Sequence, residues 1–536
     1  MDINYVVSKM GFVDDLINAG SFDSAYKNVK DILNGIDEIN TIKENRIIIL
    51  SNLAGNLIDI GSFSNVKNIA EEGLNIFINN KNEFLTIMKE SLYYYNLANG
   101  MSAVLDFNPN DNADIDSFIK LNDVKNNYWK AFKLSQEDGW VPPDLIVNLA
   151  NVLKKQYRIS ESMDYYEQAI SIDNSIPQAW VNRSEALELL NELSTTYTYK
   201  MIKEVIRGYE CAIKSGKCFP SWKVALQRKI KYNESILSES CVYGIEDIST
   251  DERLTQEEYD TLSNYQRFCI DNNLMLSDHS LYCNCYASSK DNITIATTEE
   301  GVFGDFIVPM EMVLNRLKAE YSLARKMFFE YKVDSEFFDE DSEVCYSELY
   351  NGEILYENVE KLRVAFRACF GILDKIAVAL CQLFDLKPDR GHIYFHNFWR
   401  ISDEKRKLKI NKINNKGLLG LFSIAMDLND KNGELAFFKE WRNDLEHKLL
   451  VIHEKDMLVD LYNSYGFFDE VRFIEKEKFE KQLLQLMKIV RSAVILFVFT
   501  IRIEGKKSIP KDMLTIKNTI EKIGRASCRE RVCQYV

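Results

Sequence analysis

The residue types best suited to chemistry gather in one stretch, Trp441-Arg442-Asn443-Asp444-Leu445-Glu446-His447. On a helix turning about 100° per residue, Phe438, Trp441, Leu445, Leu449 and Ile452 fall on one apolar stripe. Asn443 and His447 share a ridge on nearly the opposite side, so the imidazole points away from its own core. Arg442 and Glu446, spaced i,i+4 on the flank between them, are expected to form an ion pair that holds the guanidinium in place. A planar donor fork grips a phosphate in two places, and histidine is the side chain type that moves protons near neutral pH. The chemistry that fits is work on a phosphodiester.

Elements on either side must position this stretch. Residues 417–426 and 433–453 supply the helix or helix pair bearing the motif, with a bend near Trp441 left open. Residues 353–384 form the longest uninterrupted helical pattern, with Leu355, Val359, Leu362, Phe366, Phe370, Leu373, Ile376, Ala377, Leu380 and Phe384 on a wide apolar face. Arg367 and Asp374, i,i+7 on one face of it, either flank an active groove or pair with neighbouring helices. Then come His392, Tyr394, Phe395, His396, Phe398, Trp399 and Arg400, followed by Lys405, Arg406, Lys407 and Lys409. Rings that stack on bases beside cations that neutralise phosphates are what single-stranded RNA binding requires, and Arg400, Lys405, Arg406, Lys407 and Lys409 are the candidate RNA contacts. The plainer alternative makes the rings core and the lysines a solvated loop. Residues 479–499 give an apolar helix suited to burial or to a dimer contact.

The order arginine, polar residue, three residues, histidine at Arg442–His447, with Asn443 beside the arginine, resembles the signature of the HEPN superfamily. The phrase Phe366-Arg367 followed by Leu373-Asp374-Lys375-Ile376-Ala377 resembles the first long helix of HEPN domains fused to tetratricopeptide repeats. The resemblance covers about residues 353–502. It implies a compact helical domain acting as a homodimer and cleaving RNA without a metal, through attack of the 2′-hydroxyl on the neighbouring phosphate. On that reading His447 is the base, Arg442 holds the phosphate, Asn443 orients one of them, and Glu446, Arg367 and Asp374 support. No cofactor is expected.

The N-terminal part repeats itself. Asn52-Leu53-Ala54, Asn96-Leu97-Ala98 and Asn148-Leu149-Ala150 recur inside helical patterns, and Gly20-Ser21-Phe22 recurs as Gly61-Ser62-Phe63 in a turn-like position. Tyr128 with Ala131, Tyr166 with Ala169, and Tyr209 with Ala212 mark further units. The register resembles the tetratricopeptide repeat, with residues 190–203 reading as an insertion. Such an array is a rigid spacer or a curved groove for a peptide or protein partner.

Composition bounds the rest. The chain has 536 residues, 46% hydrophobic and 12% aromatic, enough for real cores. Eight prolines and 22 glycines favour helix throughout. A net charge of −15 excludes a protein that coats nucleic acid with its whole surface, so RNA contact must be local. No secretory signal opens the chain, and the apolar run at 493–499 falls short of the ~20 residues of a membrane span. Eleven cysteines without framework spacing read as reduced thiols in a cytoplasmic protein. His279, Cys283 and Cys285 do not supply the four ligands of a zinc site. Residues 292–297 alternate briefly and suggest a short strand. The acidic run 334–343 reads as a solvated hinge that repels RNA. Residues 523–536 resemble the translation of a sequencing adapter and are set aside.

The expected protein is all-α, with helical repeats over residues 1–218, a connector over 219–305 and a HEPN-like bundle over 306–522. Its expected function is a cytoplasmic, metal-independent endoribonuclease, a toxin or phage-defence effector whose repeats sense a partner. The alternative is a non-catalytic adaptor that dimerises and binds protein or RNA.

Overall fold

The computed structural model describes the chain except residues 1, 107–113, 195–198, 219, 242–255, 284–285, 297–301, 335–345, 348, 350, 388–391, 430–432, 456–458, 465–469 and 510–536. The acidic hinge, apart from its first residue, and the adapter-like tail therefore lie outside the described residues, as do Cys285 and Thr297. Helix dominates what is described, and the single sheet there has two strands, so the protein is all-α. The chain divides into two units, Met1–Gln156 and Tyr157–Val536.

The first unit is a succession of helix pairs: α1 (Ile3–Asn18) with α2 (Phe22–Asn34), α3 (Lys43–Ser64) with α4 (Lys67–Asn79), and α6 (Glu90–Asp106) with α7 (Ile115–Glu137), with the short α5 (Lys81–Phe84) between the second and third and α8 (Pro143–Lys155) at the end. The three Asn-Leu-Ala phrases fall in α3, α6 and α8, and their alanines Ala54, Ala98 and Ala150 are buried. Gly20 has φ +75° and makes the turn between α1 and α2. Its sequence counterpart Gly61 does not make a turn: it lies inside α3, and Asn65, with φ 58°, ends that helix. Gly61 is small for another reason, since a Cβ there would stand 2.3 Å from the Ala70 backbone nitrogen of α4. Gly73 on α4 likewise leaves only 2.5 Å between such a Cβ and the Ala54 carbonyl oxygen. Small residues thus set how closely α3 and α4 approach.

The second unit begins with α9 (Ile159–Ile172), α10 (Pro177–Ser194), α11 (Tyr199–Lys214) and α12 (Pro220–Cys241). Tyr166 and Ala169 on α9, and Tyr209 and Ala212 on α11, are fully buried. Within the stretch that reads as an insertion, Leu190 and Leu193 of α10 and Met201 and Ile202 of α11 are buried. Two short helices follow, α13 (Gln256–Thr261) and α14 (Asn264–Asp271), and then an irregular stretch. Residues 292–296 form no strand: Ile293 and Ile295 are buried, and the carbonyls of Thr294 and Ile295 accept from Arg502. That buried guanidinium replaces the ladder partners a strand would need.

The C-terminal helices are α15 (Ile307–Asp334), α16 (Glu357–Leu383), α17 (Glu404–Ile413), α18 (Lys416–Asn429), α19 (Ala436–His447), α20 (Leu461–Ser464) and α21 (Lys476–Lys507). Strand β1 (Leu449–His453) leaves α19 directly, and β2 (Val471–Glu475) leads directly into α21. They pair in parallel, Leu449 opposite Val471 through His453 opposite Glu475. The stripe that seemed to extend the motif helix over Leu449 and Ile452 is therefore a strand, in which Leu450, Val451 and Ile452 are all buried. A short continuous apolar run fits a buried strand as well as a helix.

Helix α21 is the axis of the unit, with Leu483, Leu486, Val490, Ala493, Phe497 and Ile501 among its buried residues. Both α21 and α3 are long and apolar enough to cross a membrane by length and composition, yet 83% of the α21 window is buried inside the protein. Its arginines are taken up internally. Arg502 also donates to the Ser194 carbonyl and to Asp278, each at 2.9 Å, and Arg491 donates to the Met275 carbonyl at 2.9 Å. Arg158 at the start of the unit is buried between Glu161 and Asp427 of α18.

The glycines of α3 and α4 give a paired test. Gly55 of α3 meets nothing within 4 Å where a Cβ would stand, whereas Gly73 meets the Ala54 carbonyl. Gly55→Ala should stabilise the protein by about 0.5–1 kcal/mol through helix propensity, and Gly73→Ala should destabilise it by about 1–3 kcal/mol through overpacking. Chemical denaturation of the two variants beside the wild type checks both signs.

Candidate functional site

Helix α19 is laid against α16 and α21 by aromatic packing. Phe366 of α16 meets Phe438 at 5.9 Å and Trp441 at 6.1 Å between ring centroids, and Trp441 stacks on Phe479 at 5.5 Å with 6° between planes. With Phe438 and Trp441 inward, the turn of the helix puts Arg442 on the flank, half-buried, and leaves Asn443, Glu446 and His447 exposed. The helix runs unbroken from Ala436 to His447, so no bend brings Arg442 and His447 together, and they leave it about 140° apart.

The carboxylate that holds Arg442 is Asp374 of α16, with Nη2 to Oδ2 at 3.1 Å, rather than Glu446 one turn along. The other Asp374 oxygen accepts the Phe395 backbone N–H at 2.8 Å. The Arg442 guanidinium also lies 5.4 Å from the Phe370 ring and 5.6 Å from the Tyr394 ring. Burial pushes the Asp374 carboxyl above the usual carboxylate range, while the Phe395 N–H and Arg442 pull it back. Asp444, inside the motif but buried, is engaged elsewhere by Arg472 of β2 and fastens the helix to the sheet.

Beside Arg442 lies a small cleft, open to solvent, with enclosed room for about one water molecule. Phe370, Leu373 and Leu428 form its apolar wall, and Asp374, His396, Lys439 and Arg442 line it with polar groups. Lys439 sits one turn before Arg442 on α19, giving the cleft two cations. His396 is the histidine of this cleft. Burial, with Lys439 and Arg442 adding to it, pushes its imidazole down to about 4, so it is neutral at neutral pH. Lys439 was not singled out from the sequence, and His396 was named there only as one ring of a run, not as a partner of Arg442. The i−3 spacing of Lys439 from Arg442 was a usable sign, whereas only the fold of residues 392–400 shows that His396 faces Arg442.

The other sequence candidates fall as follows. Arg367 is half-buried on α16, and its Nε has no hydrogen-bond partner among the described residues. Arg406 donates to the carbonyls of Phe398 and Trp399 and lies over the Phe398 ring. Lys407 pairs with Glu404 at 4.0 Å, and Lys409 donates to the Asp385 carbonyl and stands 3.6 Å from its carboxylate. Arg400 and Lys405 are exposed. Phe395, Phe398 and Trp399 are buried, so the plainer reading holds for those three rings, while Tyr394 reaches the surface. No group of three or more His, Cys, Asp and Glu stands together for a metal ion among the described residues.

The His396 surroundings predict its titration. The unfolded imidazole takes its proton near 6.5 and the folded one only near 4, so the unfolded state binds more protons in between. This group's contribution to stability therefore falls as pH drops from 6.5 towards 4. In spectra of histidine-labelled protein, the His396 Cε1–H resonance, assigned by His396→Gln, should hold its neutral position down to about pH 5 and move near 4. A midpoint near 6.5 would contradict the packing.

No curated protein matches the chain. Residues 303–504 match the model of the family described as LA2681-like HEPN, a span that contains α15 through most of α21 and the whole of the cleft. The helical core that presents Arg442, Asp374 and His396 therefore lies in a segment similar to the LA2681-like HEPN family.

Proposed function

We propose that the protein is an endoribonuclease whose HEPN domain cleaves RNA at the surface formed by Arg442, Asn443 and His447, working as a homodimer. The observation that carries the proposal is the clamp on Arg442: one nitrogen is spent on Asp374, and the guanidinium borders a cleft that holds a second cation, Lys439. A guanidinium held before the substrate arrives stabilises charge on phosphate oxygens without reorganising. In the reaction the ribose 2′-oxygen bonds to phosphorus, the bond from phosphorus to the 5′-oxygen breaks, and a 2′,3′-cyclic phosphate forms. His447 takes the 2′-hydroxyl proton, the departing 5′-oxygen takes one from solvent water, and the imidazolium returns its proton to solvent. Asn443, beside Arg442 on the exposed face, orients substrate, and Asp374 supplies the support for which Glu446 was the sequence candidate.

The same geometry supports the homodimer reading. Arg442 and His447 diverge on one straight helix, so a second copy across the cleft brings an arginine and a histidine to one phosphate. The helix pairs of the first unit suit tetratricopeptide-like binding of an extended peptide that governs the nuclease, and the biological role proposed is a growth-arresting toxin or phage-defence effector in the cytoplasm. A second reading, a non-catalytic adaptor that holds RNA, is favoured by that same divergence.

Purified full-length protein incubated with total RNA in EDTA, beside Arg442→Ala and His447→Ala, tests the assignment. Cleavage should fall on the order of 10²–10⁴-fold in each variant, with cyclic phosphate ends on the wild-type products. Co-expressing the two variants should restore part of the activity if the site is built from two copies. Equal cleavage by all three proteins removes the site, and retention of RNA without cleavage points to the adaptor.

A further inference from the structure

The cleft has a feature that phosphate chemistry leaves unused, a row of rings at its edge. His392 and Tyr394 lead into a turn over residues 395–397, closed by the Asn397 and Phe398 N–H groups on the Tyr394 carbonyl, and the turn brings the His396 ring back beside Tyr394. Tyr394 and His396 lie nearly parallel, 5.5 Å between centroids and 11° between planes, and His392 follows 6.2 Å from Tyr394. The intervening Phe395 turns into the core, and its N–H is the one that Asp374 accepts. Asn397 braces the segment from behind: its side-chain oxygen accepts the Tyr394 N–H at 2.9 Å and its amide donates to the His392 carbonyl at 3.1 Å. The row is therefore fixed to the carboxylate that fixes Arg442. Tyr394 is 36% exposed, and His392 is exposed as well.

We propose that His392, Tyr394 and His396 form a stacking platform that takes an unpaired nucleobase, with the adjoining phosphate on Arg442 and Lys439, so that the RNA at this site is single-stranded. The inference rests on the nuclease reading and adds the substrate class and the residues that select it. A base inside a duplex has both faces covered by its neighbours, whereas a splayed base offers a face to an aromatic ring. The cations stand where the backbone of such a nucleotide would run, with the Arg442 guanidinium 5.6 Å from the Tyr394 ring. The neutral state of His396 lets it stack beside two cations without repelling them. The basic run after Trp399 is less suited to the task, since Arg406, Lys407 and Lys409 are engaged within the chain.

The test is binding, measured on the full chain in EDTA with His447→Ala as background to suppress cleavage. The probes are a single-stranded RNA 12-mer carrying 2-aminopurine, the same strand in a duplex, and adenosine monophosphate. The platform predicts 2-aminopurine quenching with the single strand, much weaker binding of the duplex, and weaker binding of the mononucleotide. Tyr394→Ala should weaken single-strand binding roughly 5- to 150-fold, as expected for the loss of one stacked base. Tyr394→Trp should keep both affinity and quenching, a rescue that a merely structural role would not give. Unchanged affinity in Tyr394→Ala, failure of Trp to rescue, a duplex bound as tightly as the single strand, or a mononucleotide bound as tightly as the 12-mer overturns the platform. If the wild type still cleaves RNA in that case, the nuclease reading stands alone; if it neither binds nor cleaves RNA, both fall.

Discussion

The Asp374 carboxylate ties together the parts of the domain on which the proposed RNA site depends. One oxygen takes the Phe395 N–H and the other the Arg442 guanidinium, so a single side chain of α16 fixes both the segment over residues 392–400 and the exposed flank of α19. The tie is partly buried, which strengthens its hydrogen bonds relative to water and makes a missing partner costly. Burial raises the carboxyl, and the two donors oppose that rise. Because Asp374 faces both ways, the cation at the cleft and the rings at its edge cannot move independently.

That tie needs a rigid frame, which α21 supplies. Its buried arginines do for the carbonyls of Met275, Thr294 and Ile295 what a sheet would do elsewhere, giving donors where no ladder serves. The parallel pair of β1 and β2 then joins the end of α19 to the start of α21, and Arg472 of β2 holds Asp444 at the motif's own centre. Phe366, Trp441 and Phe479 fill the space between the three helices. The position of Arg442 is thus set by packing on one side of α19 and by a carboxylate on the other.

Helical periodicity was legible because it is local. The apolar face of α16 and the buried Tyr and Ala pairs of α7, α9 and α11 could be read directly, since each repeats a spacing that only a packed helix requires. The turn role given to Gly61 failed because glycine serves close approach as readily as a positive φ, and sequence does not distinguish the two. The strand at residues 449–453 was hidden because an apolar run buried on both faces loses the alternation that marks a strand. Asp374 was found as a face-mate of Arg367, but its pairing with Arg442 joins residues 68 apart, and no local spacing encodes that. The charge run after Trp399 drew notice by composition alone, whereas several of its cations are used to hold backbone and neighbours in place.

Contact of RNA with the edge where Tyr394, His396, Lys439 and Arg442 converge is open to direct measurement. Ultraviolet crosslinking of a single-stranded RNA to the full chain, with the attached peptides mapped by mass spectrometry, reads that contact without requiring cleavage. The account predicts crosslinks on residues 392–396 and 439–447. Crosslinks confined to the exposed lysines of α17, or to the first unit, would contradict it.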